Sequence, residues 1–125
     1  RVAEYYGSFV VVTFAIQSPV PADEVVAHEI LHAQYFLTPA YRAAVDGYWA
    51  ALDASEREPI LEVLGWAYDP NDDLLMRNEF QAYILQAGAE YGMLRGFVDT
   101  HRQPLTDALV SAGTPPVQVQ QAPSD

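Results

Sequence analysis

The chain contains no cysteine, which excludes disulfide bonds and thiolate metal sites. Any metal that the protein binds must therefore take nitrogen or oxygen ligands. Basic residues are also scarce, since 6 of them stand against 17 acidic residues and give a formal charge of −11. A surface with this charge repels phosphate backbones and anionic lipids, so nucleic acid is not an expected partner.

Long apolar segments are absent too. The longest largely apolar run, Phe9–Ile16, is less than half of the roughly 20 residues that a helix needs to cross a bilayer, so we expect no membrane insertion. Half of the 125 residues are nevertheless hydrophobic and 12% are aromatic, which is enough to build one core. We therefore predict a single domain over residues 1–113 and a disordered tail, rich in proline and glutamine, over 114–125.

Local patterns predict one strand followed by helices. β-branched and aromatic residues over Tyr5–Ile16 favour the strand. Helical patterns follow from about Pro21 to Leu37, from a Thr38 cap through Leu52, after a Ser55–Glu58 capping box, over Asp72–Tyr91 and over Leu105–Ala112. Gly92 and Gly96 are expected to end the fourth helix. The predicted fold class is mainly α with a small N-terminal β element, an α+β fold.

Two of the three histidines flank a glutamate in the segment ADEVVAHEILH. Residues four apart lie on one helix face, so His28 and His32 can direct both imidazoles at the same point. Glu29, about 100° round the helix from His28, lies near that point. This is the H-E-x-x-H pattern, in which two histidines hold zinc and the glutamate takes a proton from metal-bound water. The alternative is two core histidines bonded to backbone carbonyls, with Glu29 as a surface charge.

A catalytic zinc usually takes three protein ligands and a water, so a third ligand must lie downstream. The candidates with suitable donor atoms are Asp69, Asp72, Asp73, Glu79 and His101. Glu79 stands out because it lies in the apolar stripe of its predicted helix, one turn from Met76. A carboxylate on a buried stripe requires a cation. That cation is either a metal or the guanidinium of Arg42, Arg77 or Arg95.

The segments HEILH and NEFQAY, each on its own predicted helix, resemble the gluzincin clan of zinc metallopeptidases, and the small size resembles the single-domain minigluzincins. The resemblance covers roughly residues 9–91. It implies a zincin-like fold in which the active-site helix packs against the glutamate-bearing helix. It also implies that His28, His32 and Glu79 bind Zn²⁺ and that Glu29 is the general base in the hydrolysis of a peptide or protein substrate.

The same resemblance implies roles for residues around the metal. The strand over Phe9–Ile16 would pair with an extended substrate. Thermolysin-like members carry an aspartate four residues after the ligand glutamate, where Tyr83 stands in this chain. The family stabilises the tetrahedral oxyanion with a histidine or tyrosine, for which His101 and Tyr91 are the candidates. A rival interpretation is a non-catalytic, partner-binding domain, in which a fourth ligand such as His101 closes the zinc site.

Overall fold

The structure is a computed structural model that describes residues 2–6, 9–13, 22–86 and 92–117, with side chains from Val26 onward. Its elements, in chain order, are β1 (Val2–Tyr6), β2 (Phe9–Thr13), α1 (Ala22–Leu37), α2 (Pro39–Ala51), α3 (Ala54–Leu64), α4 (Asp73–Leu85) and α5 (Arg95–Ser111). The two strands pair antiparallel, with Val2 opposite Thr13 and Tyr6 opposite Phe9. The backbone of this hairpin lies beside α1.

The predicted α+β class is wrong for the part of the chain that carries the core. In the stretches 26–86 and 92–117, where side chains are described, the structure has helices and turns and no strand. The single strand expected over Tyr5–Ile16 is also wrong, because Tyr5 and Tyr6 belong to β1, which pairs antiparallel with a separate strand β2. Residues 14–16 lie outside the described part. The zincin-like fold is therefore corrected to a helical core, within which α1 packs against α4.

The predicted boundaries between α1, α2 and α3 hold only in part. Helix α1 ends at Leu37 as predicted, and α2 follows directly, although the Thr38 side chain makes no capping hydrogen bond. The capping box of α3 is formed by Asp53 and Glu56, two residues before the predicted box. The Asp53 carboxylate accepts from the Glu56 amide at 2.9 Å and from the Ser55 hydroxyl at 2.6 Å. Ser55 thus supports the cap that it was expected to form.

The last two helices differ more from the prediction. Helix α4 ends at Leu85, where Gln86 turns extended, rather than near residue 91. Helix α5 begins at Arg95 rather than at about Leu105, so Gly96 lies inside a helix instead of ending one.

The segment 114–117, predicted to be disordered, lies against α1, because the Gln34 side-chain amide bonds the backbone of residues 115 and 117. Residues 118–125 lie outside the described part.

The hydrophobic core surrounds α4, which contacts the other four helices. Core residues from α1 to α5 and the turn after α2 are Tyr35, Tyr41, Val45, Trp49, Leu52, Ile60, Leu64, Met76, Phe80, Ile84, Val98, Leu105 and Leu109. Phe80 packs against Trp49 with ring centroids 5.1 Å apart. This packing fixes the rotation of α4 and turns Glu79 toward α1. In the described part, no helix combines the length and apolar character needed to cross a membrane.

Candidate metal centre

His28 and His32 lie one turn apart on α1, and both side chains are buried. Their Nε2 atoms are 3.0 Å apart, and the two rings meet edge to face at an interplanar angle of 76°. The four-residue spacing therefore brings the two imidazole nitrogens to one point, as the sequence predicts.

Glu79 faces this point from α4. Its Oε2 lies 3.3 Å from His28 Nε2 and its Oε1 lies 3.3 Å from His32 Nε2. The Glu79 side chain is only 8% exposed, so its charge requires a cation nearby. The two imidazoles and this carboxylate thus form a buried cluster between two packed helices, which we call the His–Glu cluster (His28, His32 and Glu79).

The other residues considered for Glu79 or for the third ligand have different partners. Arg42 donates to the carbonyl oxygens of Tyr35 and Phe36, Arg77 pairs with Asp46, and Arg95 pairs with Asp99. Asp72 caps α4 by accepting from the Leu75 amide at 3.0 Å. Asp69 accepts from the Asn71 amide, and Asp73 is exposed in the first turn of α4. The ion partners of Glu79 are the two histidines.

Glu29 is buried as well, with 4% of its surface exposed. One ligand atom from each of His28, Glu29 and His32 lies within 4.8 Å of the others. A surface position for Glu29, which the non-metal interpretation of the motif required, is therefore wrong. Its carboxylate lies close enough to the two imidazoles to exchange a proton with a molecule held there, or to act as a ligand itself.

The second ring nitrogen of each histidine is bonded to a side-chain amide. His32 Nδ1 lies 2.8 Å from Asn78 Oδ1, and His28 Nδ1 lies 2.5 Å from Gln86 Oε1. An amide oxygen only accepts, so with the two amides in this orientation each Nδ1 carries the ring proton and each Nε2 of a neutral ring presents a lone pair. The four atoms that meet in the His–Glu cluster are then all acceptors, which a metal ion or an added proton can bridge.

These amide partners were not predicted from the sequence. Thermolysin-like enzymes carry an aspartate for this purpose four residues after the ligand glutamate, where this chain departs from the pattern with Tyr83. The Tyr83 ring packs edge-on against the His28 ring, 4.5 Å between centroids, while its hydroxyl lies 3.0 Å from the Tyr68 hydroxyl. The signal that could have pointed to such partners is the unusual polarity of the buried face of α4, which carries Asn78 directly before Glu79.

Of the two residues predicted to stabilise an oxyanion, His101 lies away from the His–Glu cluster and Tyr91 lies outside the described residues. His101 is buried on α5, where its Nδ1 lies 2.7 Å from the Tyr48 hydroxyl and its ring packs against Phe80. These contacts place it on the side of α4 that faces α2 and α5. Neither its hydrogen bond to Tyr48 nor its ring contacts with Tyr48 and Phe80 involve a residue of the His–Glu cluster.

Burial and the attraction between Glu79 and the two histidines shift the pKa values of the cluster in opposite directions. Burial favours the neutral carboxyl of Glu79, but hydrogen bonds and the positive charge of His28 and His32 outweigh it and lower its pKa to about 2. Burial likewise opposes protonation of His32, but the hydrogen bond and the charge of Glu79 raise its pKa. In the metal-free protein, both shifts favour a protonated His32 imidazole beside an ionised Glu79 carboxylate.

These shifts predict how the stability of the metal-free protein depends on pH. A lowered carboxyl pKa stabilises the fold above about pH 4.5 and ceases to do so as pH falls toward 2. A raised histidine pKa stabilises the fold below about pH 6.5 and ceases to do so as pH rises through the folded value. We expect the stability difference between wild type and Glu79→Gln, measured by urea unfolding with a chelator present, to be largest between these limits. A difference that is constant from pH 3 to pH 8 would contradict the ion pair.

No known protein family, curated protein or solved structure matches this chain. The function is therefore inferred from the residues of the site. Two neutral imidazoles and one carboxylate are a usual ligand set of catalytic zinc, and they leave one tetrahedral position open. The donor atoms, the acceptor partners on both Nδ1 atoms and the burial of the His–Glu cluster all fit that metal.

Proposed function

We propose that this protein is a zinc-dependent hydrolase of peptide bonds. The observation that carries the proposal is the convergence of two imidazole nitrogens and both oxygens of Glu79, with 3.0 and 3.3 Å separations, inside the core. The buried carboxylate of Glu29 beside them supplies a proton acceptor. The resemblance of HEILH and NEFQAY to the gluzincin motifs supports a peptide bond as the bond that is hydrolysed.

Each residue of the site has a separate role in this proposal. When bound, zinc lowers the pKa of a water to about 7 and polarises a carbonyl group. His28 and His32 bind through Nε2, and Glu79 contributes the one negative charge of the ligand set. Glu29 accepts the proton of the attacking water on a carboxylate oxygen and transfers it to the nitrogen of the leaving amine. The amides of Asn78 and Gln86 hold the two rings in orientation through Nδ1.

The acidic character of the chain predicts which peptides associate with it faster. With a formal charge of −11, the protein attracts basic peptides and repels acidic ones during encounter. This effect changes association rates and weakens with salt. A matched pair of basic and acidic peptides, assayed at low and high ionic strength, would show it as a salt-dependent preference for the basic peptide.

One observation favours a second candidate, a non-catalytic domain that zinc stabilises. Glu29 is 4% exposed and belongs to a group of ligand atoms within 4.8 Å, so it is placed to become a fourth ligand. Four protein ligands make a closed, structural zinc site. The two functions differ in one measurable property. Zinc affinity depends strongly on Glu29 if it is a ligand, and little if it is the base.

The first test is zinc binding and hydrolysis by the wild-type protein. We expect one zinc per chain, cleavage of an unfolded protein substrate, loss of cleavage with a chelator and its return with added zinc. Because the folded state binds the metal and the unfolded chain lacks the assembled site, each tenfold rise in free zinc above Kd should add about 1.4 kcal/mol of stability. A chain that neither binds zinc nor gains stability from it would reject both candidates. Tight binding without cleavage would support the structural zinc.

A further inference from the structure

Gln81 is a fully buried amide that joins three helices. Its Nε2 donates to the Leu31 carbonyl oxygen on α1 at 3.0 Å and to Asn78 Oδ1 on α4 at 3.1 Å. Its Oε1 accepts from the Tyr41 hydroxyl on α2 at 2.6 Å. Asn78 Oδ1 is the same atom that bonds His32 Nδ1. A chain of hydrogen bonds therefore runs from the interior of the helical core to a proposed zinc ligand.

The Leu31 carbonyl at one end of this chain of hydrogen bonds determines which atom donates in each bond. A backbone carbonyl only accepts, so the Gln81 atom facing Leu31 must be the nitrogen. The same nitrogen faces Asn78, which must then present its oxygen rather than its NH₂ group. That oxygen can only accept from His32 Nδ1, which must carry the ring proton. The lone pair of His32 is consequently on Nε2, the atom that faces Glu79.

We propose that Gln81 is a positioning residue of the metal centre, which holds Asn78 in the orientation that keeps His32 Nε2 free to bind metal. The inference rests on the proposed zinc site and adds a residue that does not touch it. Without Gln81, the Asn78 amide can turn over and present its NH₂ group to His32 Nδ1. The ring proton would then sit on Nε2, and the ligand atom would be blocked until the amide turned back.

The test compares zinc affinities, measured by competition with a chromophoric chelator, for Gln81→Met and for the same change combined with Asn78→Asp. Methionine keeps the length of the side chain and removes the amide. We expect Gln81→Met to bind zinc about 10–100-fold more weakly, the range typical of outer-shell partners of a metal ligand. An ionised carboxylate in place of the Asn78 amide has no donor end, so the double variant should recover most of the lost affinity. Recovery separates positioning from a purely structural role.

Tyr41→Phe is the matched control within the same chain of bonds. It removes the hydroxyl that Gln81 accepts from, but it leaves both hydrogen bonds of Gln81 Nε2. We expect a lower melting temperature with zinc affinity near that of wild type. The single variant Asn78→Asp serves if Gln81→Met does not fold, and it should bind zinc at least as tightly as wild type.

The outcomes distinguish this inference from the proposed function. A wild-type protein without zinc affinity would reject the metal centre and the role of Gln81 together. A zinc-binding wild type with an unaffected Gln81→Met variant would reject only the role of Gln81. Equal losses in the single and the double variant, or weaker zinc binding by Asn78→Asp alone, would also reject it.

Discussion

Glu29→Gln is expected to remove most of the peptide hydrolysis while one zinc stays bound. The amide has the size of the carboxylate but cannot accept a proton, and Glu29 is not part of the proposed ligand set. General acid–base groups contribute about 10²–10⁴-fold to rate, so we expect a fall in kcat/KM of at least this size. The measurement is kcat/KM on a fluorogenic peptide together with zinc content per chain.

The control for this substitution is Glu62→Gln, which makes the same chemical change at an exposed position on α3. We expect that variant to hydrolyse peptides at the wild-type rate. A Glu29→Gln protein with full activity would reject the assigned base. A Glu29→Gln protein that lost its zinc would show Glu29 to be a ligand and would support the closed, non-catalytic site.

Glu79→Gln is expected to weaken zinc binding more than any substitution of the amides around the histidines. It removes the only negative charge proposed for the ligand set and replaces two carboxylate oxygens, each 3.3 Å from an imidazole nitrogen, by a neutral amide. The loss in affinity should exceed the roughly 100-fold upper range for outer-shell partners. Competition with a chelator at fixed pH measures it, and hydrolysis should fall in parallel at limiting zinc.

Asp73→Asn is the matched control on the same helix, because Asp73 is exposed in the first turn of α4. Its zinc affinity should equal that of wild type. If Glu79→Gln binds zinc normally, the metal is held by other residues, and the pairing of α1 with α4 through a metal ion would be wrong.

The H-E-x-x-H half of the site was predictable from the sequence because one helix contains it. The positions of His28 and His32 depend only on helical periodicity, which the structure reproduces over α1. Glu79 was identified less directly, from a charge within an apolar stripe. That its carboxylate meets His28, 51 positions earlier, depends on the packing of α1 against α4, which local patterns do not encode.

The hydrogen-bond partners of the proposed ligands were not predictable in the same way. Asn78, Gln81 and Gln86 are polar residues whose roles appear only when another helix places an acceptor or a donor beside them. The error at Gly96 has a local reason, because this glycine lies in the first turn of α5, where glycine costs less than in a helix interior, while α4 ends at Leu85 without a glycine.

The burial of all three proposed ligands between two packed helices also limits how fast zinc can exchange. The side chains of His28, His32 and Glu79 are each 8% exposed or less. An ion in contact with all three, and a peptide that reaches this ion, both require an opening of the structure around these residues. Zinc dissociation should therefore be slow and should become faster in mild denaturant. The dissociation rate of zinc would then depend on how often the core opens locally, and not on the strength of the metal–ligand bonds alone.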